Sequence, residues 1–120
     1  MKIILVLAAL SVLAGCATNP RVEDMSSAER GKIAAIEISK GDISKAYEKI
    51  GPISGLSCNR NAGQRQDVSD DEALQGIRLN AVKMGADAVV NTFCQKNSDT
   101  DWGNNCWASV KCIGDAVRFK

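Results

Sequence analysis

The stretch SDDEALQGIRLNAVKMGADAVVNTFC, Ser69 to Cys94, decides the fold, because two periodicities meet inside it. Ser69-Asp70-Asp71-Glu72 reads as a capping box. The serine oxygen is placed to accept from the Glu72 amide, and the Glu72 carboxylate to reach back to the Ser69 amide. Asp70 and Asp71 complement the positive end of a helix dipole. Leu74, Ile77, Ala81 and Met84 recur at helical spacing and predict one apolar stripe. Gly85 is placed to end that helix in a left-handed cap. Gly76 costs the helix ~1 kcal/mol relative to alanine, but a glycine there lets a helix lie close to a sheet. Leu79 points away from the stripe and reads as a small exposed partner contact. After Gly85 the period changes, and residues 87–96, DAVVNTFCQK, read as a strand.

Outward from this unit, AAIEIS (34–39) alternates Ile36 and Ile38 with polar neighbours and predicts a strand. KGD turns the chain, and residues 43–49 suit a short helical turn. Tyr47 to Ser57 reads as a strand interrupted by Gly51-Pro52, which suits an edge position or a bulge. Residues 59–67 are a loop by composition. A second loop follows the 87–96 strand, with Asp101 to Asn105 as its tip, and Cys106 to Phe119 is a long final strand with a kink expected at Gly114. Strand–helix–strand predicts a crossover onto a parallel neighbour, whereas strands joined by a loop pair antiparallel. The sheet is therefore mixed. The fold class is α/β (α+β): a small single domain with one main helix packed on about four strands.

At the other end, MKIILVLAALSVLAGC has one positive charge, Lys2, and then an apolar run from Ile3 to Ala14. That run is too short to span a bilayer as a helix of ~20 residues, and it has the length of an export signal's apolar region. Leu13-Ala14-Gly15-Cys16 resembles the lipobox of bacterial lipoproteins. The resemblance implies a signal peptide over 1–15 and acylation of Cys16, and several acyl chains, at ~0.8 kcal/mol per buried CH₂, anchor firmly. Ala17 follows the cysteine where an aspartate tends to retain lipoproteins in the inner membrane, so outer-membrane sorting is implied. Residues 16–33, polar and without a sustained apolar period, read as the lipidated N-terminus and a flexible tether, and 34–120 as the folded domain. Removing residues 1–15 leaves 14 basic and 14 acidic side chains. No block of like charge stands out, so nucleic-acid binding has no basic face to rest on.

Four cysteines then remain, an even number for an oxidising compartment, which favours two disulfides. Structural zinc favours close pairs such as C-x₂₋₄-C. Here the gaps are 35, 11 and 5 residues and histidine is absent, so no metal site is expected. C-x-x-C redox spacing is also missing. If Cys106 to Cys112 is straight strand, the two lie ~20 Å apart at ~3.3 Å per residue, too far for a bridge whose α-carbons come within ~7 Å. Even spacing puts both on one face of the sheet. That leaves Cys58–Cys106 with Cys94–Cys112, or Cys58–Cys112 with Cys94–Cys106.

SGLSC (54–58), LNAVKMGADAVVNTFC (79–94) and CWASVKCIGDAV (106–117) together resemble the RcsF family of outer-membrane lipoproteins, with all four cysteines in register. MGADAVVN alone also resembles the broader YbjQ-like domains. The RcsF resemblance implies the non-consecutive pairing Cys58–Cys106 and Cys94–Cys112. It also implies a role: sensing envelope stress and switching on the Rcs phosphorelay through contact with an inner-membrane regulator of IgaA type. β-Barrel outer-membrane proteins and their assembly machinery are further implied partners. The family's long proline-rich tether threads a barrel lumen. Here the tether is short and Pro20 is its one proline, a departure from the pattern that threading and surface display need.

Catalysis is not expected. Without histidine there is no His base and no Ser–His or Cys–His nucleophile pair, and no cofactor is implied. Asp70, Asp71 and Glu72 are explained by capping. Tryptophan is enriched at binding hot spots. Trp102, at the loop tip between Asp101 and Gly103, is the candidate partner contact alongside Leu79, whereas Trp107 reads as a core cap beside Cys106.

Overall fold

The computed structural model describes residues 20–60, 68–97 and 99–120. The signal peptide expected at 1–15, the lipidation expected at Cys16 and most of the loop read at 59–67 lie outside the described residues. Six elements follow a 3₁₀ turn at Val22–Asp24: α1 (Ser27–Ile33), β1 (Glu37–Ile38), β2 (Tyr47–Asn59), α2 (Asp70–Met84), β3 (Ala88–Asn97) and β4 (Ala108–Phe119). They form a small α+β domain with a mixed four-stranded sheet in the order β1-β3-β4-β2. β1 runs parallel to β3, and β4 is antiparallel to both β3 and β2.

The helix read from the sequence is α2. Gly85 ends it at φ 73°, and its amide donates to the Ala81 and Val82 carbonyls. Only half of the expected box forms at the other end. The Glu72 amide donates to Ser69 Oγ at 3.2 Å, but the Ser69 amide donates to Ser57 Oγ, 3.0 Å away on β2. A buried hydroxyl of the sheet takes the donor that Glu72 was expected to satisfy, and this ties the helix start to the strand. The close approach at Gly76 is real, and β2 answers it with a second glycine. A β-carbon at Gly55 would collide with the Ala73 carbonyl and lie 2.6 Å from the Ile77 amide.

The crossover from β2 through α2 lands parallel, as expected, but not on a neighbour, because β4 inserts between β2 and β3. β2 is an edge strand, with its register shift between Lys49 and Gly51. It is continuous over 13 residues, so the helical turn expected at 43–49 does not form. β4 runs through Gly114 without a break.

The tether reading is corrected at 22–33. Ser26 and Glu29 form a complete capping box, with both hydrogen bonds at 3.1 Å. Arg30 fastens the 3₁₀ turn by donating to the Val22 and Glu23 carbonyls. Met25 is 4 % exposed and joins the core with Ile36, Ile77 and Leu79. The folded part therefore includes residues 22–33, because α1 packs on α2 and gives Met25 and Ile33 apolar surface to cover. Leu79 is corrected for the same reason. It is 6 % exposed and buried in that cluster, so it is not an available contact.

Candidate functional site

The sheet has two faces, and only one carries the helix. Ile53, Gly55 and Ser57 of β2 face α2, next to Val110 and Cys112 of β4. The opposite face is covered at one end, where Ile43, Tyr47 and Phe119 pack on Ala88, Val90 and Val117. Tyr47 donates to the Asp42 carboxylate at 2.6 Å, which holds that cover down. The Asp42 carboxyl lies below its usual range, first because of this bond and then because the Ile43 amide also donates to it. At the other end the face is open. Phe93 and Ile113, register partners on β3 and β4, are 60 % and 48 % exposed.

A bulge in β3 between Val90 and Phe93 sets the boundary between these ends. Asn91 sits there at φ 53°, a conformation asparagine tolerates better than most side chains. Its side chain donates to Asp115 at 3.3 Å, and Lys49 reaches the same carboxylate at 3.1 Å. Lys49 first, and Asn91 second, hold the Asp115 carboxyl below its ordinary range.

The open end runs into a braced tip. The Asp101 and Cys106 amides exchange hydrogen bonds with each other's carbonyls at 2.7 and 2.9 Å. The Asp101 carboxylate accepts from Asn104 Nδ2 at 2.9 Å and from Ser109 Oγ at 2.8 Å. These donors, Asn104 first, hold its carboxyl below the usual value. The turn between them presents Trp102 at 84 % exposure. Trp107 is 46 % exposed rather than a core cap, because its amide is drawn to the Asn59 carbonyl at 2.7 Å as the chain enters β4.

The disulfides are Cys58–Cys106, with α-carbons 5.5 Å apart, and Cys94–Cys112, at 4.0 Å. This is the crossed pairing that the family resemblance implied. The expectation that Cys106 and Cys112 share a face is corrected. Cys112 lies in the helix-side core, whereas alternation along β2 puts Cys58 on the opposite side from Ser57. The parity argument failed because Cys106 precedes β4, and the bend at Trp107 resets the alternation.

Of the residues the sequence singled out, Trp102 is presented, Leu79 is not, and Phe93 and Ile113 were missed. Their signal is an apolar residue beside a cysteine on each strand, which reads equally as core. Among the described residues no cluster of three His, Cys, Asp or Glu could hold a metal ion, and no helix is long and apolar enough to cross a membrane.

The architecture is that of a small α+β domain stapled by two disulfides. No family model and no curated protein matches the chain. It is similar to the crystal structure of a protein of unknown function of the DUF74 family from Pediococcus pentosaceus ATCC 25745. The TM-score is 0.56 at 16 % identity, over 71 % of this chain and 98 % of that one, a likeness of fold.

Proposed function

We propose that this chain is an outer-membrane lipoprotein of the RcsF kind, anchored through acylated Cys16 with its folded domain in the periplasm. It senses envelope stress and activates the Rcs phosphorelay by protein–protein contact with an inner-membrane regulator. It works by binding and location rather than by catalysis. The observation that carries the reading is the crossed pair of disulfides, Cys58–Cys106 and Cys94–Cys112, in a chain whose Leu13-Ala14-Gly15-Cys16 has the lipobox pattern. Exposed Trp102, Phe93 and Ile113 add apolar surface of the kind a partner covers.

A second reading, an accessory lipoprotein in envelope maintenance without signalling, draws support from the short anchor. Five residues, 17–21, separate Cys16 from the turn that begins at Val22, a separation that spans at most ~17 Å at ~3.3 Å per residue. A domain held that close to its membrane is poorly placed to touch the opposite one.

The deciding experiment is an Rcs reporter in a deletion strain exposed to outer-membrane damage. Loss of induction, restored by the wild-type chain but not by Cys16→Ala, supports the sensor. Normal induction without the protein rejects it in favour of the accessory role.

A further inference from the structure

We propose that the bare outer edge of β3, Phe93 to Asn97, docks an extended, carboxylate-bearing segment of a partner protein as an added strand. The inference rests on the reading that this chain acts by binding a protein, and it names the surface. It does not require the signalling relay.

The two edges of the sheet differ in how they are guarded. On the β2 side, Pro52 removes a donor, the register shifts at Ile50, and Asn80 Nδ2 donates to the Ser54 carbonyl at 2.7 Å. Proline and bulges are devices that blunt an edge against further pairing. On the β3 side, cover stops early. β1 pairs only with Ala88 and Val89. The following residues reach slightly further, with the Ser39 carbonyl accepting from Thr92 and the Gly41 carbonyl from Asn91, both at 3.0 Å. Beyond Thr92 no strand lies on that side among the described residues. Thr92 aims its amide outward, so ladder alternation aims the Cys94 and Lys96 amides outward too.

A groove lies along this edge, lined by Ile38, Lys40, Leu74, Arg78, Phe93 and Cys94, with Asp70 at the start of α2. Ile38 and Leu74 lie on its helix side and exposed Phe93 on its open side. An added strand sends alternate side chains to opposite faces, so it would meet apolar surface on both. The charge is uneven. Lys40 and Arg78 face one carboxylate, Asp70, and Lys96 follows along the same strand. None of the three cations has an ion pair among the described residues. Carboxylates on the incoming strand would complement them, as Arg does most strongly through bidentate geometry.

The test is an NMR titration of the full chain, purified in detergent and labelled with ¹⁵N. The probe is a blocked Glu-Val-Glu-Val-Glu peptide, with Lys-Val-Lys-Val-Lys as control. The Cys94 and Lys96 amides should shift and gain exchange protection with the acidic peptide alone. Arg78→Glu should weaken binding about tenfold. Lys96→Pro, which removes one outward donor at an edge position that accepts proline, should weaken it about fivefold with both disulfides intact. No shifts at millimolar peptide, shifts centred on Tyr47–Asn59, or equal binding of the lysine peptide would each overturn the proposal. The Rcs reporter result stands or falls separately, because the titration involves no signalling partner.

Discussion

The two faces of this sheet use similar residues to opposite ends. Ile77 of α2 is fully buried over the helix side of the sheet, whereas Ile113 of β4 is 48 % exposed on the other. On the covered side, Gly55 and Gly76 bring helix and sheet backbones together, and the space is filled by Ile77, Val89 and Val110. On the open side, among the described residues, Ile43, Tyr47 and Phe119 cover one end, and that cover stops at the β3 bulge. The lesson is that alternation along a strand offers two apolar rows, and distant cover decides which becomes core. Stability should therefore concentrate on one face and recognition on the other.

The largest test of that division concerns the staples, one on each side. In the chain-entropy model, replacing Cys58 and Cys106 together by alanine should cost ~4 kcal/mol, and replacing Cys94 and Cys112 together ~3 kcal/mol. The order follows from loops of 48 and 18 residues. Urea unfolding of the two double variants checks it, and a reversed order would show that the bridge in the covered core matters more than the loop it closes.

Next comes the contrast between the isoleucines. Ile77→Ala should lose about 3 kcal/mol, through transfer and cavity terms. Ile113→Ala should stay within about 0.5 kcal/mol of wild type. Equal losses in thermal unfolding would abolish the distinction between the faces.

Ser57→Ala probes the tie between strand and helix. It leaves the Ser69 amide without its acceptor, at about 1–2 kcal/mol. Hydrogen exchange should then quicken first in the opening turn of α2.

The smallest effect is a pH dependence at the tip. The folded Asp101 carboxyl lies below its ordinary value, so the unfolded chain binds the proton more readily. The contribution is thus complete at neutral pH and is lost as pH falls below about 4 through the folded value. Asp101→Asn should flatten the acid limb of the stability profile, and Trp102 fluorescence should report the loosened turn.

Much of the fold was legible because its signals are local. α2, its stripe and its Gly85 cap follow from spacing within 17 residues, and the edge character of β2 follows from Pro52. The N-terminal helix was legible in principle, since Ser26 and Glu29 stand at capping-box spacing. It was missed because α1 is seven residues long and none of its own side chains is fully buried, Ile33 being covered only in part. Leu79 was misread as a consequence: without α1 and Met25, nothing in the sequence covers that side of α2. Of the candidate contacts, Trp102 could be found because a tryptophan at a polar loop tip is conspicuous. Phe93 and Ile113 could not, because on a strand exposure and burial share one pattern.

By itself, then, the sequence determined the main helix, the strand directions and a cysteine spacing that excluded a Cys106–Cys112 bridge. Each depends on residues a few positions apart, where periodicity and chain geometry act directly. Tertiary structure alone decided that β4 inserts between β2 and β3, that the two disulfides take opposite sides, and that among the described residues nothing pairs with the far end of the β3 edge and Phe93 and Ile113 are left exposed. Those outcomes depend on how segments distant in sequence share the same surfaces, and no local pattern encodes that competition.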